Sequence, residues 1–276
     1  MDCSSLFGTA KPIIGMVHLA PLPGAPEATV DLRAVCAAAR RDAERLVAGG
    51  VDGLMLENYG DTPFYPDDVP KHTVAAMTRV GTAIQQAVDC PIGINVLRND
   101  AEAALSVAAA IEADYIRVNV HTGLKATDQG LIEGKAHETL RLREQLGVDV
   151  KILADLDVKH ATQISSEQSI TGEFDDCVDR GHADAVIVSG TATGQRVDTE
   201  ALDEALAART AGGYSTPVFV GSGMTVESVD ELLAAADGAI VGTALKENGN
   251  TTNPVSTERV ERFMNRVERV RSETVD

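Results

Sequence analysis

The chain has 276 residues, 44% of them hydrophobic but only 3% aromatic and none of them Trp, which is material for one sizeable core of Ala, Val, Leu and Ile. Asp and Glu number 42 against 24 Lys and Arg, a formal charge of −18; this argues against a general nucleic-acid binder and points to a halophilic protein whose surface suits concentrated salt. No apolar run approaches the roughly 18 residues of a membrane span, and the opening MDCSSLFGTAKP is not a signal peptide, so a cytoplasmic location is expected.

The four cysteines, Cys3, Cys36, Cys90 and Cys177, form no CxxC pair. They read as reduced thiols, with neither zinc nor disulfides indicated.

In chain order, short apolar runs alternate with longer helical patterns. A first strand over 12–17 ends in His18 and the loop LAPLPGAP. A helix over 30–48 is closed by Gly49 and Gly50. The second strand, 53–56, runs into Glu57 and Asn58, and a helix over 73–88 follows a Pro-rich loop. The third strand, 92–96, precedes an N-cap at Asn99 or Asp100 and an Ala-rich helix over 101–112. The fourth, 115–118, leads through Asn119 and His121 and a longer loop to a helix over 132–146. The fifth, 150–156, leads through Asp157, Lys159 and His160 to a helix over 169–180. The sixth, 185–188, ends in SGTATG, with Ser189 and Thr193, before a helix over 199–209. The last two strands, 217–220 and 238–241, flank a helix over 225–236, and an amphipathic helix over 256–271 closes the chain.

About eight βα units at even spacing, with no linker or composition break, predict a single-domain α/β fold, the TIM (β/α)8 barrel. In such barrels the site lies at the C-terminal ends of the strands.

The stretch PVFVGSGMTVESVDELLAAADGAIVGTA (217–244) organises that expectation. It gives a strand, a glycine turn and a helix start twice in under thirty residues. Gly221, Ser222 and Gly223 with Gly242 and Thr243 are therefore expected to cup a phosphate, with a helix N-terminus behind each turn. Plain tight turns are the alternative.

The other polar residues at strand ends supply the candidate chemistry. Glu57 is a candidate general base or an acceptor for a sugar hydroxyl. Asp155 and Asp157, two apart on one strand, share a face; they suit acid/base work or a divalent cation, or one of them orients Lys159 or Arg117. Lys159 stands out among only seven lysines as a Schiff-base former, electrophile or phosphate ligand. His18, His121 and His160 have no metal-motif spacing, so no metal ligand is assigned and no cofactor is certain. With Asn58, Asn95, Arg117, Asn119, Ser189 and Thr193 they are assigned to substrate binding. Arg98, Arg117, Lys125 and Lys159 gather positive charge at one mouth of an acidic protein, which favours an anionic, phosphorylated small molecule. A homo-oligomer is expected, with no segment that specifies its interface.

These segments also carry a resemblance. KPIIGMVHLAPLPGAP (11–26), GLMLENYGDTPF (53–64), PIGINVLRNDAEAAL (91–105), YIRVNV (115–120), TDQGLIEGKAHETLRLR (127–143), ILADLDVKHA (152–161), ADAVIVSGTATG (183–194), VGSGMT (220–225) and DGAIVGTALKENGNTTNPVS (237–256) resemble the BtpA/SgcQ family over nearly the whole chain. The resemblance implies a TIM barrel. It implies no catalytic set: the family is named for photosystem I biogenesis, and other members resemble sugar-operon proteins sometimes labelled nucleosidase-like. Two functions are therefore expected in competition. One is an enzyme on a phosphorylated sugar or nucleoside-type metabolite, by aldol-type cleavage, isomerisation or glycosidic-bond cleavage. The other is a non-catalytic assembly or stability factor.

Overall fold

Apolar runs punctuated by Gly and Asp become strands, and the longer amphipathic stretches pack over them as helices. The computed structural model describes residues 1–156, 162–163, 169–190 and 199–273, so Asp157, Lys159, His160 and Thr193 lie outside the described residues. In chain order the elements are α1 (Cys3–Phe7), β1 (Ile13–His18), α2 (Leu32–Ala48), β2 (Gly53–Glu57), α3 (Lys71–Gln85), β3 (Ile92–Asn95), α4 (Ala101–Ile111) and β4 (Tyr115–Val118). They continue with β5 (Leu124–Thr127), β6 (Gly130–Glu133), α5 (Ala136–Leu146), β7 (Lys151–Leu156), β8 (Thr162–Gln163) and α6 (Ile170–Asp175). Last come β9 (Ala185–Val188), α7 (Thr199–Gly212), β10 (Val218–Val220), α8 (Val229–Ala235), β11 (Gly238–Val241) and α9 (Thr257–Glu273).

The eight parallel strands β1, β2, β3, β4, β7, β9, β10 and β11 close into a barrel in that order, β11 returning to β1. This is the TIM (β/α)8 fold that the repeat pattern predicts.

Period-two alternation decides which residues face inward. Ile14, Met16, Met55, Tyr115, Leu153, Ile187, Phe219 and Ile240 fill the barrel interior, and Phe7 of α1 closes its lower end, edge to face with Tyr115 at a centroid distance of 5.6 Å. Gly93 makes the space for Tyr115, since a Cβ there would come within 2.1 Å of the tyrosine ring.

The N-terminal ends of the strands share one device. Asp52, Asp114, Asp184 and Asp237 each stand just before or at the start of a strand and accept the amide of a neighbouring strand's start: Ile13, Ile92, Ile152 and Val218, at 2.7–2.9 Å. Three of the four also hold an arginine: Arg271 on Asp52, Arg143 on Asp184 and Arg209 on Asp237.

Several expected elements differ. A short helix, α1, precedes the barrel, capped by the Asp2 side chain and ended by Gly8 at φ 74°. The helix expected over 132–146 starts only at Ala136, because Ile132 belongs to a hairpin: β5 and β6 pair from Leu124↔Glu133 to Thr127↔Gly130 across Asp128 and Gln129. The helix expected over 169–180 divides into α6 and a π-helical turn, Asp176–Arg180. The helix expected from Thr225 begins at Val229, since Thr225 N donates to Ser228 Oγ in a separate turn. Behind the second glycine turn there is no α-helix but two single 3-10 turns, Thr243–Leu245 and Glu247–Gly249.

Candidate active site at the barrel mouth

Two residues beyond each interior core position, the same alternation aims another ring of side chains up the barrel axis. On β1, β2, β3, β4 and β7 that ring is His18, Glu57, Asn95, Arg117 and Asp155; past β9, β10 and β11 it is Ser189, Gly221 and Gly242. The ring marks where the core changes from apolar to polar.

Glu57 is buried and steered from two sides. Asn95 Nδ2 donates to its Oε2 at 2.7 Å, and His18 Nε2 lies 3.7 Å from its Oε1. His18 packs on Tyr59, with ring centroids 4.8 Å apart. Gly242 is small because His18 lies against it: a Cβ there would come within 2.7 Å of His18 Cε1.

Across the barrel, Arg117 grips Asp155 through two nitrogens, Nε to Oδ2 at 3.1 Å and Nη2 to Oδ1 at 2.9 Å. Asn119 Nδ2 adds a donor to Asp155 Oδ2 at 2.6 Å. Burial works against the Arg117 charge, but the Asp155 carboxylate outweighs it and holds the guanidinium pKa above its ordinary value. Arg98, just past β3, is pulled below its ordinary value by burial, although Asp155 and Glu57 act to raise it. Among the described residues the floor thus sets Arg98 and Arg117 against Asp155 and Glu57.

A cavity of about 960 Å³ stands over this floor. His18, Glu57, Arg98, Arg117, Asn119, Asp155, Ser189, Gly221, Ser222, Gly223, Gly242 and Thr243 line it. Ser189 Oγ, Ser222 Oγ and Asn119 Oδ1 are buried there with no hydrogen-bond partner among the described residues. Thr243 Oγ1 is bonded to Thr251 Oγ1 at 2.8 Å. Gly223 holds φ 79°, a conformation a side chain would strain.

Other sequence candidates are turned elsewhere. Asn58 does not line the cavity; its Oδ1 accepts the Leu97 amide at 2.7 Å and its Nδ2 donates to Asp61 at 3.2 Å, which ties the loops after β2 and β3 together. His121 also lies off the cavity, with Nε2 2.8 Å from the Gly181 carbonyl oxygen. Lys125 adds no free charge to the mouth: it is buried against Glu173 at 2.8 Å, a pairing of the hairpin with α6. Among the described residues no cluster of three or more His, Cys, Asp or Glu would hold a metal ion.

The cavity also continues outward along the loop after β11 to Arg41 and Arg45 on α2 and to Arg259 and Arg262 on α9. Sequence reasoning passed over these. A signal was present: Arg259 and Arg262 lie three apart near the start of α9, where the helix dipole disfavours cations.

The model of the BtpA family matches residues 9–269. The photosystem I biogenesis protein BtpA of Synechocystis is 46% identical over 264 residues, covering 96% of this chain and 90% of that protein. The putative sgc region protein SgcQ of Escherichia coli is 33% identical over 269 residues, 96% of this chain and 97% of that one. Among solved structures, thiamine phosphate pyrophosphorylase from Pyrococcus furiosus superposes with a TM-score of 0.57 at 13% identity, covering 95% of this chain and 96% of that one, a likeness of fold alone. With the family's model matching nearly its full length and a relative 46% identical over 96% of it, the chain belongs to the BtpA family.

Proposed function

We propose that the chain is an enzyme acting on a phosphorylated sugar or nucleoside-type metabolite. The reacting atoms lie over Glu57 and the Arg117–Asp155 pair, and the phosphate rests on the glycine turns at Gly221–Ser222–Gly223 and Gly242–Thr243. The observation that carries this reading is a buried carboxylate, Glu57, steered by Asn95 and His18 beneath a cavity in which the Ser189 and Ser222 hydroxyls lack partners among the described residues. A mouth that merely closed a core would be apolar, or would satisfy its own polar groups.

Aldol-type cleavage, isomerisation and glycosidic-bond cleavage all move a proton at a sugar carbon or oxygen, and Glu57 is the group to move it. Asp157 and Lys159 lie outside the described residues and are assigned to the same reaction from the sequence alone, with a divalent cation on Asp155 and Asp157 as the variant. Loops after the last two strands bind phosphate in many barrels of this architecture. The thiamine phosphate pyrophosphorylase likeness supports no more than that a phosphate-handling chemistry suits the fold.

The competing reading is an assembly or stability factor, favoured by the 46% identity to a protein named for photosystem I biogenesis. That name is not shared across the family: the Escherichia coli relative matches the same 96% of this chain under another.

The test is a thermal-shift series, run in molar salt to suit the acidic surface, with inorganic phosphate, ribose 5-phosphate, glucose 6-phosphate and AMP. A ligand at about a hundred times its Kd adds roughly 2.7 kcal/mol and raises Tm visibly. Glu57→Gln keeps that shift and lowers turnover of the compound that binds by about 10²- to 10⁴-fold. If none of these compounds shifts Tm, the enzyme reading fails, and a pull-down with outer-helix variants takes up the assembly role.

A further inference from the structure

Resting on that placement of the ligand, we infer that the barrel floor selects a hydroxyl-bearing substrate through Asn119, whose side-chain oxygen is a fixed acceptor waiting for a ligand donor. The orientation of the Asn119 amide follows from its neighbour. Asp155 is gripped through two nitrogens by Arg117, and an ionised carboxylate only accepts hydrogen bonds. The atom of Asn119 that lies 2.6 Å from Asp155 Oδ2 must therefore be the nitrogen, and a flipped amide would set oxygen against oxygen. Oδ1 is thereby fixed away from Asp155. It is buried and has no partner among the described residues, in a residue only 4% exposed that lines the cavity.

A buried acceptor without a donor is costly, and a ligand hydroxyl satisfies it. Ser189 extends the same surface. Its Oγ is likewise unpartnered, and Gly221 keeps it open, because a Cβ at Gly221 would come within 2.3 Å of that oxygen and 3.6 Å of Arg117 Nη2. The Ser189 hydroxyl and the Arg117 guanidinium thus border Gly221, and the fixed Asn119 acceptor belongs to a residue that lines the same cavity.

Charge excludes the obvious competitor. A ligand carboxylate at this point would meet Asn119 Oδ1 with no proton to offer. Arg117, which would attract it, is already held by Asp155 through two nitrogens. The floor therefore suits the hydroxylated carbons of a sugar and disfavours a carboxylate there, so the substrate class narrows to polyol or sugar phosphates over phosphorylated acids.

The experiment is calorimetric titration of ribose 5-phosphate and glucose 6-phosphate, each beside analogues lacking one hydroxyl, into the native chain and Asn119→Leu. Inorganic phosphate and 3-phosphoglycerate serve as hydroxyl-poor and carboxylated probes. In the native chain, loss of one particular hydroxyl weakens binding roughly ten- to a hundredfold. In Asn119→Leu the parent and that analogue bind alike, while inorganic phosphate binds as it does to the native chain. Asn119→Ala, which withdraws the oxygen without supplying another acceptor, repeats the measurement if the leucine variant does not fold. The inference is overturned if every deoxy analogue binds like its parent, if the penalty survives in the Asn119 variants, or if 3-phosphoglycerate binds as tightly as the sugars. In those cases phosphate binding, and with it the proposed function, still stands. If no phosphorylated probe binds at all, both fall together.

Discussion

The two ends of the barrel are built from the same strands and treat polar groups in opposite ways. At the N-terminal end, Asp52, Asp114, Asp184 and Asp237 satisfy one strand amide each, three of them also holding an arginine, and Phe7 covers Tyr115. At the C-terminal end, Asn119, Ser189 and Ser222 keep atoms without partners among the described residues, and glycines at positions 221 and 242 leave room for the Ser189 and His18 side chains. Satisfied groups stabilise, whereas unsatisfied ones persist where a ligand completes them. The lower end is thus the part of the molecule that keeps it folded, and under the proposed function the upper end gives up stability for binding.

The sharpest way to separate the ends is Tyr115→Ala. Tyr115 is fully buried and its hydroxyl donates to the Leu54 carbonyl oxygen at 2.7 Å. Its removal costs about 3–5 kcal/mol in urea unfolding, while the affinity of the folded fraction for any mouth ligand stays the same. A parallel loss of affinity would show that the two ends are not separable. Asp184→Ala has a smaller effect, since it leaves the Ile152 amide and Arg143 without their shared acceptor. The expected cost is about 1–3 kcal/mol, read as a shift in urea midpoint with unchanged ligand binding. A cost no larger than a surface substitution would mean that the aspartate device is decorative.

That device was legible in the sequence and went unread. Val51-Asp52-Gly53, Ala113-Asp114-Tyr115, Ala183-Asp184-Ala185 and Ala236-Asp237-Gly238 recur at the start of every second strand, a repeat that marks alternate strand entrances. The strands themselves were plain: runs 115–118, 185–188 and 238–241 match β4, β9 and β11 end to end. Alternation along those runs is enough to put Glu57, Arg117 and Asp155 at one mouth. It does not give the partners. Whether Asp155 faces Arg117 depends on the register of β4 against β7, with Arg117 opposite Leu153 and Val118 opposite Ala154, and strand order is a tertiary fact. The hairpin β5–β6 was misread because Ile132 joins the apolar spacing of the helix behind it. Gly130, at φ 103°, was the local sign of a turn. The same limit applies to Asn58 and His121, which sit beside site residues in the sequence but turn away from the cavity.

His121 provides the finest test of the contrast, because it is a buried titratable group near the mouth that takes no part in it. Burial holds its pKa below the ordinary histidine value of 6.5, although the bond to the Gly181 carbonyl acts to raise it. The folded chain therefore keeps the ring neutral in a range where the unfolded chain binds a proton. With more protons on the unfolded state, stability is fully present above pH 6.5 and is lost as pH falls from there towards the depressed folded value. The slope contributed by this one group is at most about 1.4 kcal/mol per pH unit. Urea midpoints taken across pH 5 to 8 should thus fall on the acid side for the native chain and fall less for His121→Gln, whose amide retains a donor for Gly181. Ligand affinity should follow neither curve, since His121 does not line the cavity. If affinity tracks the His121 titration instead, this residue belongs to the upper end's binding surface and the division between a stabilising frame and an unsatisfied mouth must be redrawn.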